Sequence, residues 1–201
     1  MKALFLSASI PLPGRGDYFD TADPFLIQIA IRELITLVLG RRTLVWGGHP
    51  AITPMVWAVC EDLGVNYADA VVLYQSLLFE DIFPEENRHF GNVRYVDKVD
   101  EDREASLHRM RTEMLSRPDL ESAVFIGGME GIVAEHALFR EFHPDARVLA
   151  VPAPGGAART LFTSLNKNYE ESVLYDVDFA TLFYEQLQVQ PNEVRTQGES
   201  K

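Results

Sequence analysis

The sequence predicts an α/β fold, a doubly wound parallel sheet with crossover helices, followed by a helical C-terminal extension. Short apolar runs alternate with longer stretches of helical periodicity from residue 3 to residue 165, the signature of strands joined by crossovers. Three of those runs end in glycine-bearing turns, at 47–50, 127–131 and 155–156. The 201 residues suffice for one domain with a substantial core, without disulfides or metal staples.

Ala3 to Ser7 reads as the first strand, ending in the small residues Ser7, Ala8 and Ser9. The following P-L-P-G-R-G-D-Y reads as a loop from its proline and glycine content. Asp23 caps a helix that has Pro24 at its first position and ends at Gly40. Thr43 to Trp46 is the second strand, and a helix over Thr53 to Leu63 stops at Gly64. Ala70 to Tyr74 is the third strand, with Gln75 and Ser76 at its end. Residues 77–92, rich in Phe and acids, read as a loop or short helix over that strand end, and Val93 to Val96 as a short strand.

Asp100 is expected to begin the next helix, which runs to about Ser116 and is stopped by Pro118. A strand at 123–126 and a helix from 131 to 141 follow, then a strand from Arg147 to Val151 and a helix from Ala157 to Leu165. The boundaries expected are an α/β domain over 1–168 and an extension over 169–201. Residues 176–188 form a helix whose Phe179, Leu182, Phe183 and Leu187 offer one face to a second subunit. Pro191 to Lys201 is polar and expected to be disordered.

The balance is acidic, 30 Asp and Glu against 18 Lys and Arg, which argues against polymeric nucleic acid. No apolar stretch reaches the roughly 18 residues of a membrane helix. Cys60 is the only cysteine and sits in a helical pattern, so it reads as a buried, inert thiol. These features imply a cytoplasmic setting, no membrane partner and no metal or cofactor.

In an open parallel sheet, ligands bind beyond the carboxyl ends of the strands, where the strand order switches. The three glycine turns lie on that edge. Around them the candidate binding residues are Ser7, Ser9, Gly47, Gly48, His49, Ser76, Gly127, Gly128, Met129, Glu130, Gly131, Gly155 and Gly156. Glycines at a strand-to-helix turn let backbone N–H groups approach an anion, so 127–131 reads as a phosphate cradle. Glu135 brings a carboxylate one turn inside the helix, to serve catalysis or to bind ribose hydroxyls.

On the preceding helix, Leu107, Met110 and Met114 form an apolar stripe. Arg103 and Arg111 fall about 40° to either side of the Leu107 line, while Arg109 points away from it. Arg111 is therefore the candidate anion or carboxylate partner. His49 has two readings, as a ligand contact or as a group satisfying its own turn. Tyr74, Phe79, Phe83 and Phe90 likewise serve either to stack on a base or to pack the core.

The motif order resembles the SLOG superfamily. This superfamily includes the Lonely Guy (lysine-decarboxylase-like) phosphoribohydrolases and nucleotide-sensing domains of bacterial defence systems. The Lonely Guy segment G-G-G-x-x-G-L-M corresponds to V-W-G-G-H-P-A-I-T-P-M-V at 45–56, and P-G-G-x-G-T-x-x-E to I-G-G-M-E-G-I-V-A-E at 126–135. S-A-S at 7–9, G-G-H-P-A-I-T-P and the later G-G-A-A look most like the prokaryotic defence-associated SLOG clusters.

The resemblance implies a Rossmann-like sheet, a small nucleotide ligand such as ADP-ribose, NAD or a nucleoside phosphate, a dimer, and a separate effector protein. The function it implies is that of a ligand sensor, with a phosphoribohydrolase as the alternative. Three departures weigh against hydrolysis. The glycine loop is one residue longer, Ile132 replaces a threonine, and aligning M-H-x-R-K on L-H-R-M-R at 107–111 puts Met110 where the enzymes carry arginine.

Overall fold

Six parallel strands form one sheet in the order β4-β3-β2-β1-β5-β6: β1 Ala3–Ser9, β2 Thr43–Trp46, β3 Val71–Ser76, β4 Val93–Val96, β5 Leu120–Gly127 and β6 Arg147–Val151. The computed structural model describes residues 2–64, 70–190 and 192–195. Seven α-helices accompany the strands among these residues: α1 Tyr18–Thr21, α2 Pro24–Val38, α3 Thr53–Leu63, α4 Arg103–Leu115, α5 Glu130–Phe142, α6 Gly156–Leu165 and α7 Phe179–Leu187. None of the described helices is long and apolar enough to cross a membrane.

Strand alternation divides the core in two. Leu4, Leu6, Leu44, Trp46, Val124 and Ile126 face α2, α3 and α7, while Ala3, Phe5, Val45, Ala123 and Phe125 face α4, α5 and α6. Helices thus cover both faces, the doubly wound arrangement the sequence predicts. The chain leaves β1 toward β2, β3 and β4, then returns so that β5 pairs with the other side of β1. The switch in strand order therefore falls between β1 and β5, the place where open α/β sheets bind ligands.

Several elements differ from expectation, each for a physical reason. β1, β3 and β5 run beyond the stretches expected for them into polar or small residues, because Ser9 pairs with Gly127, and Gln75 and Ser76 with Tyr95 and Val96. Asp100 does not start α4: its φ is 46°, and Asp102 caps instead, accepting from the Ala105 amide at 3.0 Å. The short helix α1 follows the loop read at 11–18 and was not expected, while residues 77–92, read as a loop or short helix, form two 3₁₀ helices, Leu77–Ile82 and Glu85–His89. Cys60 is fully buried, which with Glu61 beside it pushes the thiol pKa up to about 12.

The extension docks within the chain. Phe179, Phe183 and Leu187 of α7 are buried in the core cluster that includes α2, so the face offered to a second subunit is filled internally. Residues 192–195, part of the polar stretch from Pro191, make defined contacts with the domain. Arg195 donates to the carbonyls of Thr36, at 2.5 Å, and Leu39, while Glu193 pairs with Arg42. Pro191 itself and 196–201 lie outside the described residues. Arg195→Ala is expected to cost about 1–2 kcal/mol and lower Tm by a few degrees, read by thermal denaturation.

Candidate functional site

A cavity of about 490 Å³ opens over the carboxyl ends of β1, β2 and β3, beside the start of α5. Of the predicted residues, Ser7, Ser9, Gly47, Gly48, His49, Ser76, Met129, Glu130, Gly131, Glu135 and Arg111 line it. Arg15, Gln75, Phe79, Ile82, Phe83, Pro84 and Arg103 complete two contrasting walls. One wall is apolar and comes from the 3₁₀ segments after β3. The other is charged and comes from α4, α5 and the loop after β1.

At the charged wall, Glu135 is anchored from two sides. Ser7 Oγ donates to its Oε2 at 2.5 Å, and Arg111 Nε donates to its Oε1 at 3.1 Å. The side chains of Arg111 and Glu135 are only 14% and 16% exposed, so solvent screening is limited. Each carboxylate oxygen keeps further lone-pair capacity for a ligand donor. Gly131 makes room for this pair, since a Cβ there would lie 3.0 Å from an Arg111 guanidinium nitrogen. Arg109, as its helical phase indicates, turns outward and pairs with Asp97 and Glu113.

Four glycines stand differently from the expected cradle. Gly127 and Gly128 have positive φ, but their missing Cβ atoms leave space for protein: Ile27 and Ser9 at Gly127, Ile132 at Gly128. The Gly128 amide is spent on the Ser9 carbonyl at 2.8 Å, so it is not offered to an anion. Gly155 and Gly156 lie outside the cavity lining, and their turn buttresses the first one. Ala157 donates to the Gly128 carbonyl at 2.9 Å, and a Cβ on Gly156 would meet Gly127 backbone at 2.8 Å. The part of the loop that borders the cavity is Met129, Glu130 and Gly131.

His49 satisfies its own turn and lines the cavity as well. Its carbonyl accepts from the Ile52 and Thr53 amides, and its Nδ1 accepts from the Ala51 amide at 3.2 Å. Burial lowers its pKa. A neutral ring bonded in this way carries its proton on Nε2, which is then a donor. Gly48 lies against β3, where Gln75 Nε2 donates to its carbonyl at 3.4 Å, and Ser76 Oγ accepts from the Leu78 amide.

The four aromatic candidates divide evenly. Tyr74 and Phe90 are core residues, with Phe90 edge-on to Trp46, whereas Phe79 and Phe83 line the cavity. Phe83 is backed by Tyr95, with ring centroids 5.7 Å apart and ring planes inclined by 29°. Sequence reasoning did not single out Arg15, because a loop residue has no period to place it.

A family model described as the SLOG cluster3 family matches residues 17–187. The chain belongs to that family. Comparison with curated proteins and with solved structures gave no match. The SLOG match runs through α7, so the helix that docks on α2 falls within the matched region. Membership suggests a domain that binds or processes a nucleotide derivative, and the SLOG departure at Met110 reads differently in space. Met110 is buried beneath Gly47, while Arg111, one residue on, supplies the guanidinium that meets Glu135.

Proposed function

We propose that this domain is a sensor that binds a small nucleotide derivative, such as ADP-ribose, NAD or a nucleoside phosphate, as part of a bacterial defence or stress response. One observation carries the reading: a single cavity at the strand-order switch pairs an apolar aromatic wall with a fixed Ser7–Glu135–Arg111 set. A base fits against Phe79 and Phe83, and ribose hydroxyls donate to the remaining lone pairs of Glu135. Held from both sides, Glu135 serves as a fixed acceptor. The wider proposal is a cytoplasmic homodimer that reports to a separate effector protein. Its support is the likeness to defence-associated SLOG clusters.

The second reading is a phosphoribohydrolase that cleaves the N-glycosidic bond, and the 3.1 Å Arg111–Glu135 contact favours it. There the carboxylate would steady positive charge on the ribose, while arginine binds phosphate. Incubation with AMP, NAD and ADP-ribose separates the two readings, with binding followed by thermal shift and free base by chromatography. A raised Tm without base release is expected of the sensor. Steady release of adenine or nicotinamide would establish the hydrolase instead.

Phe83→Ala tests the orientation. Loss of one stacking platform, worth about 1–3 kcal/mol, is expected to weaken AMP roughly tenfold or more. Ribose 5-phosphate, which has no base, should bind the variant as it binds the parent. An equal loss for both would place the base elsewhere.

A further inference from the structure

Glu130, the first residue of α5, faces arginines from two different elements at the cavity mouth. Arg15, on the loop after β1, donates to Glu130 Oε1 at 2.5 Å. Arg103, the first residue of α4, lines the same cavity and adds its charge, its own bonded partner being the neighbouring Glu104. Hydrogen bonding at the Glu130 backbone and the two guanidinium groups hold its carboxyl below the usual range. Arg15, Arg103 and Arg111 are the arginines lining the cavity among the described residues, and Arg111 is committed to Glu135.

Among the charged groups that line the cavity, these arginines are the ones a phosphate-bearing ligand can pair with. The Gly128 amide is spent on Ser9, and Ile132, buried, brings no hydroxyl. Arg15 and Arg103 remain. We infer that the Glu130 carboxylate stands in the anion position that the phosphate end of the ligand takes, so that binding exchanges Glu130 for phosphate on Arg15, with Arg103 lining the same cavity to add its charge. The inference rests on the nucleotide reading above and adds how that site handles phosphate.

Exchange, rather than addition, follows from charge. A carboxylate left on Arg15 would repel phosphate brought to the same place. Giving up the native pair is cheap, since Arg15 and Glu130 are 43% and 61% exposed and exposed pairs contribute little. Phosphate offers more charge than the carboxylate and can likewise pair two oxygens with the planar guanidinium fork.

The test titrates inorganic pyrophosphate, then AMP, NAD and ADP-ribose, into the parent protein and into Glu130→Gln, Arg15→Gln and Arg103→Gln by calorimetry. Removing the internal competitor is expected to tighten pyrophosphate about three- to tenfold, and losing either arginine to weaken it about tenfold. Glu130→Gln binding pyrophosphate no tighter than the parent overturns the inference. So do nucleotides that bind all three variants as they bind the parent, a result that leaves the nucleotide reading intact. If pyrophosphate responds as expected while no nucleotide binds, the exchange stands and the nucleotide reading falls.

Discussion

Glu135→Gln is expected to weaken binding of AMP or ADP-ribose roughly ten- to a hundredfold, the effect of losing hydrogen bonds to a charged acceptor worth about 1.5–3 kcal/mol. The substitution keeps the shape of the side chain and removes its charge. One of its two oxygens becomes an amide donor, which opposes Arg111 Nε if turned toward it, and if turned toward Ser7 makes that hydroxyl accept where it now donates to Glu135. Arg111, 14% exposed, would then be left without its carboxylate partner, so a small loss of Tm should accompany the loss of affinity. Unchanged affinity for every nucleotide that binds the parent would remove Glu135 from the site.

The largest loss of stability is expected at Gly155. Its φ is +77°, and a Cβ built there would sit 1.8 Å from the Thr21 carbonyl oxygen and 2.5 Å from its carbon. Both are backbone atoms, at the end of α1, so no side chain can swing aside. Gly155→Ala therefore combines left-handed strain with overpacking, roughly 3 kcal/mol or more. For a domain of this size that corresponds to a Tm about 6–12 °C lower. Gly14→Ala is the control, with φ at +76° and nothing within 4 Å of its Cβ, and is expected to cost only about 1 kcal/mol of backbone strain. Equal losses in the two variants would show that backbone conformation alone, without the close approach, accounts for the effect.

Gly155 also shows what the sequence could and could not convey. The glycine turns are legible because a strand-to-helix corner demands residues without Cβ. Whether the space left by the missing Cβ is taken by a ligand or by protein is not written in the glycines themselves. At Gly127, Gly128, Gly155 and Gly156 it is taken by Ile27, Ile132, Thr21 and neighbouring backbone. The same ambiguity hid the docking of α7, because an apolar helix face reads alike whether its partner is α2 or another subunit.

Periodicity succeeded where it had a helix to act on. The 3.6-residue repeat separates Arg111, which meets Glu135, from Arg109, which turns outward. The polar strand ends escaped the apolar pattern that marks the strand cores. Ser9, Gln75 and Ser76 remain in the sheet through backbone pairing, which carries no side-chain signature. The floor of the cavity is therefore where apolar patterning ends and strand pairing continues. Arg15 and the two 3₁₀ segments lie on irregular backbone, outside the reach of any period.

Amide hydrogen exchange with and without saturating ADP-ribose tests the central claim most directly. The account predicts protection concentrated in 47–50, 77–84 and 129–135, the segments that border the cavity. Protection confined instead to the surface groove between α2 and α3, around Phe25, Ile29 and Met55, would contradict it.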